Sequence, residues 1–127
     1  MPNLPILVVE DNEDAAEMLA EYLGMFGYEV RTAGDGTTAL SVVTAFTPRC
    51  AIVDLGLPDM DGYELSARMR AEHPQLGDMK IIALSGSAEA SDKRRSLDAG
   101  FSAHLAKPVD LKALREVLRM HLQPKEA

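Results

Sequence analysis

The chain has 127 residues, of which 46% are apolar and 26% are charged, and its formal net charge is −7. This length and balance predict one globular domain with a sizeable core, and the acidic excess argues against direct binding to nucleic acid or to an anionic membrane surface. No apolar run approaches the roughly 18 residues of a membrane span, and the N-terminus lacks the pattern of a signal peptide. The single cysteine cannot form an internal disulfide and agrees with a reducing compartment, so we expect a cytoplasmic location.

The first half of the chain alternates strand-like and helix-like segments. Residues 6–9 are a short aliphatic run typical of a buried strand, and an acidic loop over 10–14 follows it. Apolar residues then recur at helical spacing, which predicts a helix over 15–26. Its apolar face is expected to contain Ala15, Met18, Leu19, Tyr22, Leu23 and Phe26. A second strand over 28–33 and a helix over about 37–47 complete this half.

The second half repeats the alternation. An apolar strand ends at Asp54, which is an unusual place for an acid because an unpaired charge is costly away from water. The predicted elements are, in chain order, a strand at 51–53, a helix at 63–72, a strand at 81–84, a polar helix at about 90–99, a strand at 103–106 and a helix at 111–122. Leu97 is the one core-type residue of the polar helix, and Asp110 is placed to cap the last helix.

Strands that alternate with helices five times predict an α/β fold, with a parallel sheet covered by helices on both faces. Five strands are too few for an eight-stranded barrel, so right-handed crossovers give an open, doubly wound sheet. No linker, repeat or low-complexity tract divides the chain. We therefore expect a single domain over 1–127, with a core at about 4–122 and a tail or the start of a linker at 123–127.

Polar side chains follow four of the five predicted strands. Glu10 and Asp11 follow the first strand, Asp54 the third, Ser85 the fourth and Lys107 the fifth. The carboxyl ends of parallel strands meet at one edge of the sheet, where ligands bind in such folds, so we expect these groups to lie together.

Three converging carboxylates repel one another unless a cation lies between them, and an oxygen-only ligand set suits Mg²⁺. A carboxylate beside Mg²⁺, the ammonium of Lys107 and the hydroxyl of Ser85 is suited to phosphoryl transfer, with Asp54 as the nucleophile. The residues alone leave another interpretation open, in which Glu10 and Asp11 only cap the first helix. Asp59 and Asp61 are interpreted as turn formers rather than ligands.

These residues resemble the receiver domain of bacterial two-component response regulators. The stretch Asp54-Leu-Gly-Leu-Pro-Asp-Met-Asp-Gly62 is especially similar to the acceptor loop of that family, and the resemblance covers about residues 4–122. It implies a flavodoxin-like or CheY-like (βα)5 sheet with strand order 2-1-3-4-5. It also implies a phosphorelay switch that accepts and releases phosphate slowly, rather than a turnover enzyme.

The resemblance implies a role for each site residue. Asp54 would accept a phosphoryl group from the phosphohistidine of a sensor histidine kinase or a histidine phosphotransfer domain. Mg²⁺ would be bound by Asp11, Asp54 and the backbone carbonyl of Gly56, with Glu10 acting through a water. Lys107 and Ser85 would contact the phosphoryl group, and the peptide bond before Pro108 could be cis.

The resemblance also implies an output surface formed by the fourth helix, the fifth strand and the last helix, which would bind an effector domain or protein and could form a homodimer. One position departs from the family pattern. His104 stands where an aromatic residue often serves as a rotameric switch, and its charge would make the response pH-dependent. Gly56 and Ser87 are small, so we expect an open path for water near the acceptor.

Two other classes of function were compared with this one. A phosphatase of the haloacid dehalogenase type also forms an aspartyl phosphate, but it needs a second acid two residues after the nucleophile, where this chain has Gly56. A flavin or dinucleotide binder would use the same sheet. The chain lacks the glycine-rich phosphate loop of that class and has only three Tyr, three Phe and no Trp to stack a flavin.

Overall fold

A computed structural model describes residues 4–86, 94–95 and 97–122 of the chain. The strands in these ranges form one parallel sheet with the order β2-β1-β3-β4-β5. They are β1 Pro5–Val9, β2 Glu29–Ala33, β3 Cys50–Asp54, β4 Lys80–Ser85 and β5 Ala103–Ala106. The predicted α/β fold and strand order are confirmed.

The helices of the described ranges begin at residues that can cap them. Those with both ends described are α1 Glu13–Gly24, α2 Gly36–Val42, α3 Gly62–Glu72 and α4 Leu111–His121, with a 3₁₀ turn at Pro74–Leu76. Residues 94–95 and 97–98 are helical as well. The side chain before each of the helices α1 to α4 accepts a hydrogen bond from a backbone N–H of the first turn, as an N-cap does. These capping residues are Asn12, Asp35, Asp61 and Asp110.

The core lies in two layers, one on each face of the sheet. Alternate residues of β3 supply both layers, because side chains along a strand point to opposite faces. Ala51 and Val53 pack with α2 and α3, whereas Cys50 and Ile52 pack with α1 and α4. Cys50 is fully buried, which confirms its interpretation as a core residue, and burial raises the pKa of its thiol.

The predicted apolar face of α1 is partly wrong. The buried face of the helix contains Ala16, Leu19 and Leu23, whereas Met18 is 49% exposed and Phe26 is 42% exposed. Phe26 lies beyond the end of the helix, where the guanidinium of Arg115 is 3.7 Å from its ring centroid. The predicted face omitted Ala16, which also lies at helical spacing from Leu19 and Leu23, and packing against the sheet buries Ala16 while Met18 stays half exposed.

Two further differences concern helix ends and core contacts. The helix after β2 ends at Val42 instead of about residue 47, and the following residues form turns in which the Thr44 hydroxyl bonds the carbonyl of Ser41 at 2.7 Å. The predicted helix over 90–99 lies partly outside the described residues, and within the described part Leu97 is 62% exposed. Phe101 instead enters the core, at 3% exposure.

The described helices were also compared with the requirements of a membrane span. Within the ranges that the structure covers, no helix is both long and apolar enough to cross a bilayer. The predicted tail over 123–127 lies outside those ranges.

Gly62 allows the chain to double back immediately after β3. Its backbone N–H bonds the carbonyl of Leu55 at 3.1 Å. A Cβ at this position would lie 2.7 Å from Leu55 Cδ2, 3.0 Å from Leu55 Cα and 3.1 Å from the carbonyl oxygen of Asp54. Two of these atoms belong to the backbone, so a side chain here would have to displace the residues that follow the strand.

We predict that Gly62→Ala lowers the free energy of unfolding by roughly 1–3 kcal/mol, as overpacking against backbone does. Gly34→Ala is the matched control, because no heavy atom lies within 4 Å of a Cβ built there. The control should stay within about 0.5 kcal/mol of the original chain. Urea unfolding of the three proteins measures both effects, and equal midpoints for the two variants would contradict the prediction.

Candidate functional site

Two nearly buried carboxylates stand side by side at the carboxyl edge of the sheet. Asp54 is the last residue of β3, and Glu10 follows the last residue of β1. These strands are neighbours with Val9 paired to Val53, so the next residue of each chain segment reaches the same place. Glu10 is 3% exposed and Asp54 is 6% exposed, which makes a compensating cation necessary.

Lys107 supplies that cation. Its Nζ lies 2.5 Å from Asp54 Oδ2 and 2.9 Å from Glu10 Oε1, so one ammonium bridges the two carboxylates. The residue follows β5, which is separated from β3 by β4. A side chain as long as lysine is needed for this reach, since two strand spacings are about 10 Å.

Asp11 completes a cluster of three acids. One carboxylate oxygen from each of Glu10, Asp11 and Asp54 can be chosen so that all three lie within 4.8 Å of one another. Asp11 is exposed, and so this cluster opens to solvent on its side. Hard oxygen donors are the ligand type that suits Mg²⁺, which binds through one or two carboxylates and retains waters for its other positions.

The ionisation of the cluster follows from burial and from Lys107. Burial alone would raise the pKa of Asp54, but hydrogen bonds from Lys107 and from the Gly56 N–H outweigh it, and the pKa is lowered. Burial is the largest effect on Glu10 and raises its pKa, in spite of the bond from Lys107. Burial would lower the pKa of Lys107, but its two carboxylate partners raise it. Asp54 is therefore held as the carboxylate and Lys107 as the ammonium.

Backbone groups near the cluster fix the direction of each carboxylate. Asp54 Oδ1 accepts the N–H of Gly56 at 2.9 Å, which leaves Oδ2 for Lys107. Glu10 Oε2 accepts the N–H of Asn12 at 3.2 Å, which leaves Oε1 for the same ammonium. Each carboxylate thus bonds its own loop through one oxygen and Lys107 through the other.

Ser85 and His104 form a second polar contact beside the cluster. Ser85 Oγ lies 2.7 Å from His104 Nε2, and the Ser85 carbonyl accepts the backbone N–H of Lys107 at 2.7 Å. The peptide bond between Lys107 and Pro108 is cis, as expected. Ser87 lies outside the described residues. The structure therefore links the last residue of β4 to β5 and to the residue that follows β5.

Asp59 makes a contact that the sequence did not predict. Its carboxylate accepts the N–H of Gly36 at 2.8 Å and both the N–H and the hydroxyl of Thr37, at 2.9 and 2.7 Å. Asp61 instead caps its own helix by accepting the N–H of Glu64 at 2.7 Å. Both acids lie in a turn, as predicted, but no local pattern identifies a partner 22 or 23 residues away.

The chain was compared with known protein families and with curated proteins. The family model described as "Response regulator receiver domain" matches residues 6–119. The sensor histidine kinase RcsC of Salmonella typhi is 36% identical over 122 residues, which are 95% of this chain and 12% of that protein. An uncharacterized 14.6 kDa protein of Leptolyngbya boryana is 36% identical over 110 residues, with 87% of this chain and 83% of the relative covered. The chain thus spans about an eighth of RcsC and most of the smaller relative.

Solved structures with the same fold were also found. A putative response regulator from Chloroflexus aurantiacus superposes with a TM-score of 0.87 at 34% identity, covering 96% of this chain and 99% of that one. A CheY-like response regulator receiver domain protein from Methanospirillum hungatei gives a TM-score of 0.82 at 30% identity, with 93% and 92% covered. The similarity extends over nearly the whole of each chain.

We predict that Glu10→Gln gains stability relative to the original chain as the pH rises from about 4.5 towards 7 in metal-free buffer. The ordinary pKa of 4.5 is raised in the folded protein, so Glu10 contributes stability below 4.5 that is lost as the pH rises through the raised value. Glutamine does not titrate and does not suffer this loss. Thermal melts of both proteins across this range measure the difference.

The control is Glu29→Gln on the exposed outer strand, which should change the free energy of unfolding by no more than about 0.5 kcal/mol. A difference between Glu10→Gln and the original chain that stays constant or shrinks as the pH rises would contradict the prediction.

Proposed function

Because the chain belongs to the response regulator receiver domain family, we propose that it is a phosphorylation-controlled switch in which Asp54 accepts a phosphoryl group. Receiver domains are modules of two-component signalling, and the family match covers most of the chain. The observation that supports Asp54 as the acceptor is the Lys107 ammonium that bridges Asp54 and Glu10 at the carboxyl edge of the sheet. We propose residues 4–122 as the receiver unit of a single domain over 1–127.

In the proposed reaction, a carboxylate oxygen of Asp54 attacks the phosphorus of a phosphohistidine. The O–P bond of an aspartyl phosphate forms while the P–N bond breaks, and the imidazole leaves with the bonding electron pair and takes up a proton. The reaction needs Asp54 ionised, which agrees with its lowered pKa. Lys107 already contacts the acceptor carboxylate and would follow the negative charge as it moves onto the phosphoryl oxygens.

Mg²⁺, when bound, would neutralise charge on the phosphoryl oxygens. The residues proposed to hold it are Asp11, Asp54 and the carbonyl of Gly56, with Glu10 acting through a water. Gly56 is suited to this position because its N–H already bonds Asp54 Oδ1 and holds the start of the loop against the acceptor.

The signal would leave the site through Ser85, Lys107 and His104. Ser85 Oγ would turn from His104 Nε2 towards the new phosphoryl group, which would free the imidazole to change its rotamer. Because the Lys107 N–H bonds the Ser85 carbonyl, the two residues would respond together. His104 then takes the place that an aromatic residue occupies in many receivers.

The proposed partners follow from this reaction. The donor would be a sensor histidine kinase or a histidine phosphotransfer domain, and sensor histidine kinases are among the similar proteins. The output surface would comprise the predicted helix at about 90–99, β5 and α4, and would bind an effector or a second copy of the chain. A cytoplasmic location belongs to the same proposal.

A phosphatase of the haloacid dehalogenase type is not favoured. That chemistry needs a carboxylic acid two residues after the nucleophile, and Gly56 offers only backbone groups there. The family match is to receivers over residues 6–119. The chain is therefore proposed to hold its phosphate as a signal and to lose it slowly, rather than to turn over a metabolite.

We predict that incubation with acetyl phosphate and Mg²⁺ adds one phosphoryl group to the protein, and that Asp54→Ala abolishes this addition. Intact mass spectrometry measures the gain, with chelated metal as the negative condition. Asp35→Ala is the control for loss of an aspartate away from the cluster and should still be labelled. Labelling that persists in Asp54→Ala would place the acceptor elsewhere.

We predict that Lys107→Ala still accepts phosphate, at a lower rate, but loses most of the conformational response in β5 and α4. The Lys107 ammonium contacts the carboxylate of Asp54, so it connects the proposed acceptor to the end of β5. Amide chemical shifts before and after phosphorylation measure the response. Lys112→Ala, at an exposed position in α4, is the control and should respond like the original chain. An undiminished response in Lys107→Ala would remove its proposed coupling role.

A further inference from the structure

The loop that follows the acceptor, residues 55–61, is bonded to the first turn of α2. Asp59 accepts hydrogen bonds from Gly36 N at 2.8 Å, Thr37 N at 2.9 Å and Thr37 Oγ1 at 2.7 Å. Both carboxylate oxygens are used, one for each residue of the turn. Three donors on one carboxylate make a directional connection, because each hydrogen bond to an ionised group is short and strong.

Packing supports the same contact. Met60 lies against the bare Cα of Gly36, where an added Cβ would lie 2.5 Å from Met60 Cγ and 2.6 Å from its sulfur. Gly36 is buried, whereas Asp59 is exposed. A glycine at the start of α2 therefore lets two adjacent residues of the loop approach the helix, one through hydrogen bonds and the other through close packing.

The two ends of the loop are fixed at the acceptor itself. Gly56 N bonds Asp54 Oδ1 at 2.9 Å, and Gly62 N bonds the carbonyl of Leu55 at 3.1 Å. The middle of the loop is the part that reaches outwards, and there Asp59 holds it to α2. Release of Asp59 would let the middle of the loop move and would change how Gly56 is presented to Asp54.

We infer that Asp59 is a positioning residue: by clamping the loop to α2 it holds the Gly56 backbone at the acceptor and raises the affinity of the site for Mg²⁺. The part that concerns Mg²⁺ rests on the proposed function. The clamp also couples α2, which lies outside the proposed output surface, to the acceptor. Asp59 touches none of the reacting groups and acts through Gly56.

The charge of Asp59 fits this role. The Thr37 hydroxyl, followed by the N–H groups of Gly36 and Thr37, lowers the pKa of Asp59 to about 2. At neutral pH the side chain is therefore an acceptor at both oxygens. An asparagine would direct its NH₂ group at one of these donors, so Asp59→Asn should break part of the clamp without removing the side chain.

Asp35 provides a matched control within the same helix. Its side chain accepts Thr38 N at 2.7 Å and caps α2 from the residue before it, so this hydrogen bond stays within the start of the helix. Asp35→Ala and Asp59→Ala each remove a carboxylate from the same helix start. Only Asp59→Ala also releases the loop, so the pair separates helix capping from loop positioning.

The first measurement is amide hydrogen exchange of the metal-free full chain, followed by NMR. In Asp59→Ala the Gly56 amide should exchange at least roughly tenfold faster, as loss of charge-assisted bonds implies. In Asp35→Ala it should exchange as in the original chain. In Thr37→Val, which removes only the hydroxyl, the exchange rate of the Gly56 amide should lie between those two rates. In Thr37→Ser, which keeps a hydroxyl, it should equal the rate in the original chain.

The second measurement is titration with Mg²⁺ alone. Asp59→Ala should bind roughly tenfold more weakly, the lower end of the loss seen when a bond that orients a metal ligand is removed. Asp35→Ala should bind Mg²⁺ with the affinity of the original chain. If Asp59→Ala does not fold, Asp59→Asn replaces it in this titration and should also bind Mg²⁺ more weakly.

Equal Gly56 exchange in the Asp35 and Asp59 variants would overturn the positioning role. If the original chain binds no Mg²⁺, the proposed function fails, while the exchange comparison in metal-free protein still decides whether Asp59 positions the loop.

Discussion

One ammonium between two buried carboxylates is the interaction on which this sheet edge depends. Glu10 and Asp54 lie at neighbouring strand ends with almost no exposure to water, where two negative charges without a partner would be strongly unfavourable. Lys107 contacts both, and its third donor remains for another acceptor. Apolar residues of similar size often stabilise such a position at least as well, so a buried group of charges is weak evidence for a purely structural role. Under the proposed function, the site is a place where stability is given up for reactivity.

The topology of the sheet brings these groups together. Each comes from a different strand end, and the acids are adjacent only because β1 and β3, which are distant in the sequence, pair in register. Lys107 reaches them across β4, where it also bonds the backbone of Ser85. The site therefore exists only in the folded sheet. A change that shifts β4 or β5 moves the cation relative to the acids, which gives a physical route from the proposed acceptor to the proposed output surface.

The acceptor edge combines a rigid base with bonds that can be exchanged. The two strands that carry the acids, β1 and β3, are almost completely buried, so the carboxylates start from fixed positions. Above them, the contact of Ser85 with His104 and the clamp from Asp59 to α2 are made by single side chains at half-buried or exposed positions. Hydrogen bonds of this kind can be replaced by others at small cost in free energy, unlike core packing. A switch needs both a fixed framework for its charged groups and hydrogen bonds that can be exchanged when the state changes.

The sequence by itself determined the alternation of strands and helices, the burial of Cys50, and the set of acids and lysine at the strand ends. Strand and helix periodicity are local properties of the sequence, and the rule that the carboxyl ends of parallel strands meet at one edge holds for every such sheet. The strand order came from the resemblance to receivers. Only the tertiary structure decided which stripe of α1 is buried, since Ala16 and Met18 both fit helical spacing and contact with the sheet selects between them. The bond of Ser85 to His104 and the clamp of Asp59 on Gly36 and Thr37 were equally out of reach. They join residues about twenty positions apart through loops whose meeting depends on how whole layers pack, which no local pattern records.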